Sequence, residues 1–408
     1  MNPLYVGIDG SSKTNVAYLM LPNGDKHSNF SVANSLDGST QLVKRILSAL
    51  TSHSLDTVMI GLEATSVYGD NLVYFLREDA TLAQFNRKIH VLNPKQVRKF
   101  KEAYNDLPKN DYVDSFVIAD CLRFGRINKE VYIGDYRYKA LQNLTRARYF
   151  AVCNLTKEKQ RFMNVLFKKY SAMTQEKVFS DTFSTTALAV YDTFESVEAL
   201  AYMDLQELTE FIMEKGKNRF PDPDSVAKAI QKAARSSYRL PKTVNDSVNQ
   251  VLSISITSMK ALEAQIKEFD KAISAQMKLL PNVLISVPGV GPVFSAGIMA
   301  EIGDINRFEN QAQLAKYAGL AWTQYQSGNF EAETSRLICT GNRFLKYYLC
   351  EAAFSLVRCD KEYSNFYHLK YKEVNRCQHK RALALTARKF VRLVFALLKD
   401  NRLYRPAE

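Results

Sequence analysis

The stretch "KNDYVDSFVIADCLRFG", Lys109 to Gly125, sets two aspartates three residues apart in an otherwise apolar and basic segment. On a helix each residue turns about 100°, so Asp111 and Asp114 sit about 60° apart with Cβ atoms roughly 5–6 Å from each other. Asp120, nine residues beyond Asp111, is rotated about 180° away and does not join the pair. Carboxylates sharing a face repel one another unless a cation sits between them, and a divalent metal is one such cation. The plainer alternative makes Asp111 an N-cap and Asp114 a first-turn acid favoured by the helix dipole. Two further acids end buried β runs: Asp9 in "YVGIDGSS" and Glu63 in "VMIGLEATSVYG". In open α/β sheets the carboxyl ends of strands open onto the functional crevice, so acids there face a shared site. Four carboxylates converging on one point require cations. Two Mg²⁺ ions roughly 3.5–4 Å apart, or Mn²⁺ in their place, would suit them as a clamp for in-line phosphoryl transfer.

The elements that must position these acids are legible in the first 125 residues. "LYVGID", "NVAYLML" and "KHSNFSVAN" read as three strands in a meander, "STQLVKRILSAL" as a helix and "TVMIGLE" as a buried strand. "DNLVYFLRE" then reads as a helix, "KIHVLN" as a strand and "PKQVRKFKEAY" as a helix with Pro94 in its first turn. The order βββαβαβα, with a last helix from Asp111, implies a mixed sheet with helices on its faces. Strand one is then central with strand four beside it, Asp9 and Glu63 are neighbours, and the aspartate helix packs across them.

Beyond this α/β domain, placed at residues 1–135, the pattern becomes helical. One long helix is expected from Tyr138 to Tyr170, with Arg146, Arg148, Lys157 and Arg161 on a strongly basic polar side that offers nucleic-acid contacts. A second runs from about Val244 to Leu279 with apolar residues near heptad spacing, and the two could pair as an antiparallel coiled coil. A small helical insertion, about 172–240, interrupts this 136–280 region. The last region, 281–408, opens with "VPGVGPVFSAGIMAEIG". There the Pro-Gly-x-Gly turn with Gly289 and Gly291 leads into a helix and suits either a phosphate contact or a simple structural turn.

Composition bounds the partners. The chain has 408 residues, 46% hydrophobic and 24% charged, with a formal net charge of +13. From Arg336 to Arg405 sixteen Lys/Arg face five Asp/Glu, so most of the excess lies in the last seventy residues. Such a bias points to a polyanion. The uncharged run Leu279 to Ala300 holds three prolines and three glycines, which argues against a membrane helix. No signal peptide is expected, and six cysteines without CxxC or Cys/His ligand spacing suggest a reduced, cytoplasmic protein lacking structural zinc.

Taken together, "IDGS", "EATSVY", "VLNPKQVRKF", "KNDYVDSFVIAD", "VPGVGP", "QLAKYAGL", "QSGN" and "KRALALTARKFVRLVFALLKD" resemble, in order, the DEDD transposases of the insertion-sequence one-ten type. Site-specific DNA invertases are among the relatives. The resemblance implies an α/β RuvC-like domain of the ribonuclease H-like fold, a long helical coiled-coil region and a mostly α-helical C-terminal transposase domain. It maps the metal-binding acids onto Asp9, Glu63, Asp111 and Asp114. The usual Lys-Thr-Asp is Lys109-Asn110-Asp111 here, and Ser66 stands where a glycine is usual; neither change removes a carboxylate. It further implies a serine nucleophile, which maps onto Ser327, with Arg336, Arg343 and Lys346 as nearby cations for the scissile phosphate. Donor and target DNA, a structured noncoding RNA bridging them, a homo-oligomer with a composite site and a prokaryotic cytoplasm are implied in the same way.

Three functions compete. A recombinase would use the acids and Ser327 to exchange strands, with or without a guide RNA. A structure-selective nuclease would use the same acids to activate water. A non-catalytic nucleic-acid binder would hold the acids for structural reasons.

Overall fold

A computed structural model describes residues 2–64, 67–104, 107–125, 136–176, 178–323, 326–327, 330–331, 336–338 and 340–406. The chain divides into two compact units, Met1–Ile133 and Gly134–Glu408. The expected boundary at 135 and Ser66 lie outside the described residues.

In the first unit the chain runs β1 (Pro3–Gly10), β2 (Thr14–Met20), β3 (Lys26–Ala33), α1 (Leu36–Ser52), β4 (Thr57–Glu63), α2 (Asp70–Glu78), β5 (Asn86–Leu92), α3 (Pro94–Lys101) and α4 (Asp111–Phe124). The sheet order is β3-β2-β1-β4-β5. β1 pairs antiparallel with β2 and parallel with β4, and β4 runs parallel to β5. A mixed five-stranded sheet with β1 at its centre is therefore present, as the meander followed by βα units implies.

Strand alternation decides which helix covers which face. Leu4, Val6 and Ile8 of β1 and Val58, Ile60 and Leu62 of β4 share one core with Leu42, Ile46 and Leu50 of α1 and Leu72 and Leu76 of α2. The intervening residues of β1 and β4 point to the opposite face, since successive side chains alternate. There α4 lies down, burying Ser115, Ile118, Ala119 and Leu122 at helical spacing.

The second unit is mostly helical. It comprises α5 (Tyr136–Lys169), α6 (Ser171–Glu176), α7 (Thr185–Thr193), α8 (Val197–Tyr202), α9 (Leu205–Gly216), α10 (Pro223–Ser236), α11 (Lys242–Met277), α12 (Pro292–Ile302) and α13 (Gln311–Tyr317). A small hairpin, β6 (Gln326–Ser327) and β7 (Phe330–Glu331), precedes α14 (Arg343–Cys359), α15 (Lys361–Lys372) and α16 (Gln378–Asp400).

Helices α5 and α11 pair antiparallel within the chain. Arg137 donates to the Leu279 carbonyl at 3.0 Å, Arg148 reaches Asp270 at 2.5 Å, Lys159 reaches Glu263 at 3.3 Å, and Ser255 donates to Glu158 at 2.6 Å. The heptad-like residues of α11 serve two cores. Val248, Leu252, Ile256 and Met259 pack with Phe162 and Leu166 of α5 and the helices of the insertion. Ile273 and Met277 pack with Leu141 of α5 and with α12, α14 and α16. The long helices and the C-terminal helices thus share a core, and residue 280 is no break in it. Among the described residues no helix is long and apolar enough to cross a membrane.

Candidate active site

Gly7 of β1 and Gly61 of β4 are register partners on adjacent parallel strands. A Cβ at position 7 would stand 2.0 Å from the Ser115 carbonyl oxygen and 2.4 Å from the Ala119 nitrogen. One at position 61 would stand 3.0 Å from the side chains of Ile118 and Leu122. The missing side chains let α4 rest directly on the two central strands. Two residues after each glycine comes an acid, Asp9 after Gly7 and Glu63 after Gly61, and the period of two puts both acids on the face that α4 covers. Toward the N-terminus of α4 the same side of the helix continues through the half-buried Asp114 and the exposed Asp111. The strand ends and the helix start set these acids within electrostatic reach of one another, Asp9 of Asp111 and Asp114, and Glu63 of Asp9 and Asp114.

Asn110 caps α4, its side chain accepting from the Val113 N–H at 2.8 Å. Asp111 is thus not the N-cap; it is the first helical residue, and both aspartates lie in the first turn, where the helix dipole favours anions. The electrostatics register the gathering. Burial, then the charges of Asp111 and Asp114, push the Asp9 carboxyl up to about 6 against the opposing pull of Lys101. Glu63 is also raised, by burial first and then by Asp9 and Asp114, with Lys101 again opposing. Lys101, near the end of α3, binds Asp114 at 2.6 Å.

Asp120 has another role. It is buried, accepts from the Tyr104 hydroxyl, and pairs with Arg123 at 2.7 Å. Its partners Tyr104 and Arg123 are not among the other acids, in keeping with its rotation around the helix.

The donor set is all carboxylate, the hard oxygen chemistry that Mg²⁺ and Mn²⁺ select. Among the described residues no three His, Cys, Asp or Glu side chains are gathered closely enough to hold an ion as they stand. Mutual repulsion keeps such acids apart, and the Lys101 ammonium supplies the positive charge that the cluster demands. By donor chemistry the residues fit a hard divalent cation.

Sequence alone did not mark Gly7, Gly61 or Lys101. A glycine two residues before an acid at the end of a β run, occurring twice, was the available signal for the first two.

The basic residues divide. Arg146 grips the buried carboxylate of Glu301 at 2.7 and 2.9 Å, and Arg148, largely buried, is held by Asp270. Both tie α5 to neighbouring helices through ion pairs. Lys157 and Arg161 are exposed, and Arg161 makes a long 3.4 Å contact with Glu158. Gly289 has φ +79°, and a Cβ there would meet Ser355 Oγ at 2.9 Å and Cys359 Sγ at 3.1 Å, so its role is close packing on α14. Gly291, at the N-terminus of α12, faces open space. Arg336 is exposed, and the exposed Arg343 lies over the rings of Phe150 and Phe344 at 5.5 and 4.8 Å. Lys346 is half-buried on α14. Ser327 lies on β6, paired with Phe330; its side chain lies outside the described residues.

Two family models match the chain. One, described as a transposase, covers residues 6–170, and the other, described as the transposase IS116/IS110/IS902 family, covers residues 282–368. The chain belongs to this transposase family. An IS116/IS110/IS902-type relative, the insertion element IS116 uncharacterized 44.8 kDa protein of Streptomyces clavuligerus, is 26% identical over 80% of each chain. The insertion element IS900 uncharacterized 42 kDa protein of Mycobacterium paratuberculosis is 24% identical over 99% of this chain and 98% of its own. The transposase for insertion sequence element IS1111A of Coxiella burnetii is 28% identical over 39% of this chain and 44% of its own. The first match spans all four acids, the second spans Ser327, and residues 171–281, with the insertion and α11, fall between them.

Proposed function

We propose that this member of the transposase family cleaves and rejoins DNA strands of an insertion sequence, using a RuvC-like domain whose Asp9, Glu63, Asp111 and Asp114 hold Mg²⁺. The observation that supports this is that the acids at the ends of β1 and β4 and in the first turn of α4 influence one another, with Asp9 raised by burial first and then by Asp111 and Asp114. Bound there, divalent ions would polarise the scissile phosphate and neutralise charge developing on its oxygens. The carboxylates would hold that positive charge in place, and Lys101, paired with Asp114, supplies a counter-charge to the acids in its absence. Ser327 would attack phosphorus, its proton passing to a base or solvent; as the serine–phosphate ester forms, the P–O bond to one strand breaks and that strand leaves with a free hydroxyl, which can later attack the ester in rejoining and release the serine. Arg336, Arg343 and Lys346 follow it closely in sequence and can hold the phosphate.

A structured RNA that bridges donor and target is the partner implied by family likeness. The exposed Lys157 and Arg161 and the basic C-terminal region offer surfaces for it and for DNA. Exchange of two duplexes requires several cleavages, which favours an oligomer.

Alanine at Asp9, Glu63, Asp111 or Asp114 should abolish strand transfer while the chain stays folded. Asp120→Asn should retain activity with reduced stability, because it weakens the contacts to Tyr104 and Arg123. An essential Asp120 beside a dispensable Asp114 would refute the assignment.

A further inference from the structure

The hairpin that bears Ser327 leaves the helical body through a narrow neck. Gly319 (φ +71°) and Gly341 (φ +131°) touch there: a Cβ on Gly341 would lie 2.5 Å from the Gly319 nitrogen. Above them the strands pair through Ile338 N–H to the Ala321 carbonyl at 2.9 Å, the Trp322–Leu337 bridge, and Thr323 N–H to the Arg336 carbonyl at 2.8 Å. Below them Asn342 closes the neck, its N–H donating to the Tyr317 carbonyl at 2.7 Å.

Asn342 is itself held from beneath. Its side-chain oxygen caps α14 by accepting from Phe344 and Leu345, and its amide nitrogen donates to Glu301 at 2.7 Å and to the Tyr317 hydroxyl at 3.1 Å. The Glu301 side chain is fully buried and also takes the two contacts from Arg146 and one from Gln142 at 3.2 Å, both on α5. A buried carboxylate shared by an arginine and an asparagine has little freedom, because releasing either partner leaves charge or donors unsatisfied.

We propose that Glu301 is a positioning residue: held by Arg146 of α5 and holding Asn342, it fixes the neck of the Ser327 hairpin to the long helix. The inference rests on Ser327 as nucleophile for its consequence, since the hairpin's aim then depends on α5. The neck geometry itself does not depend on that reading.

The chain's single tryptophan, Trp322, sits in the neck and reports on it directly. Asn342→Asp keeps the cap on α14 but sets a carboxylate against Glu301. We expect unchanged helical circular dichroism, an acrylamide quenching constant for Trp322 raised about twofold by local opening, and strand transfer reduced in kcat with little change in KM. Combining Asn342→Asp with Glu301→Gln restores a donor opposite an acceptor and should return Trp322 quenching toward wild type. Should the first variant fail to fold, the Arg146→Met, Glu301→Met pair removes both charges together and should show the same raised quenching. Wild-type quenching in a folded Asn342→Asp protein would overturn the proposal, as would a double variant that rescues nothing. Ser327→Ala separates the two claims: full activity in that variant sinks the serine, while raised Trp322 quenching in Asn342→Asp still supports the neck.

Discussion

Gly7 and Gly61 face each other across two parallel strands, and α4 lies on the space left by their missing side chains. Everything that brings Asp111 and Asp114 to Asp9 and Glu63 depends on that close approach. Gly7 is the more constrained, because its neighbours are backbone atoms of α4, whereas Gly61 meets the ends of flexible side chains. Gly7→Ala should destabilise the first unit by about 3 kcal/mol and Gly61→Ala by about 1 kcal/mol, within the range of overpacked cores. Urea denaturation checks the pair, and equal, negligible losses would mean that α4 is not seated as described.

The raised Asp9 carboxyl makes a prediction about pH. A carboxyl whose folded-state pKa exceeds its unfolded value of 3.8 favours the folded protein while it is protonated. Its contribution is complete below that value and is lost as pH rises through about 6. Glu63 acts in the same direction. Metal-free protein should therefore gain less stability from Asp9 at about pH 8 than at about pH 5, and Asp9→Asn should narrow the difference in melting temperature between them. An unchanged difference in the variant would exclude Asp9 as its source.

Lys101 competes with the cation it resembles. Replacing it by methionine should strengthen Mn²⁺ binding roughly fivefold, the equivalent of about 1 kcal/mol for a partly exposed pair. The same change should lower the stability of the metal-free protein at neutral pH, because the acids lose their counter-charge. Calorimetric titration with Mn²⁺ decides the sign; weaker binding would show that Lys101 assists the ion.

The family resemblance implied a composite site; in α11 the buried apolar residues pack within the chain, while Val251 and Ile254 stay exposed. A shared active site must therefore be tested on its own. Mixing Asp9→Ala protein with Ser327→Ala protein should restore strand transfer if acids and serine come from different protomers. No recovery, with mixed oligomers demonstrated by differential tags, would mean that each chain supplies its own serine.

Much of the scaffold was legible because its signals are local. Apolar runs marked β1, β2 and β4, alternation marked β3, and the order of strands and helices set β1 at the centre. Helical periodicity gave α5 and α11 to within a few residues. The three-residue spacing of Asp111 and Asp114 separated them from Asp120. What escaped depends on contacts between distant segments. Arg146 looks like any basic residue on a helix until Glu301, 155 residues later, is found beneath it. Lys101 becomes part of the acid cluster only when α3 and α4 pack together, and Gly289 shows its packing role only against Ser355 and Cys359. The excess charge after Arg336 pointed in sequence only to a polyanion. In the structure α14 and α16 build the core with Leu345, Tyr348, Leu356, Phe390 and Val394, so truncation after Ala332 would unfold the second unit instead of merely removing charge.

The most direct test of metal-bound acids working with a serine is to trap the protein on nicked DNA carrying the element's end. With Mg²⁺ the wild-type chain should form a covalent protein–DNA adduct that maps by mass spectrometry to Ser327. The adduct should vanish with chelator, with Asp9→Asn and with Ser327→Ala. Cleavage by Ser327→Ala at the wild-type rate, leaving free DNA ends and no adduct, would contradict the account and identify water as the nucleophile.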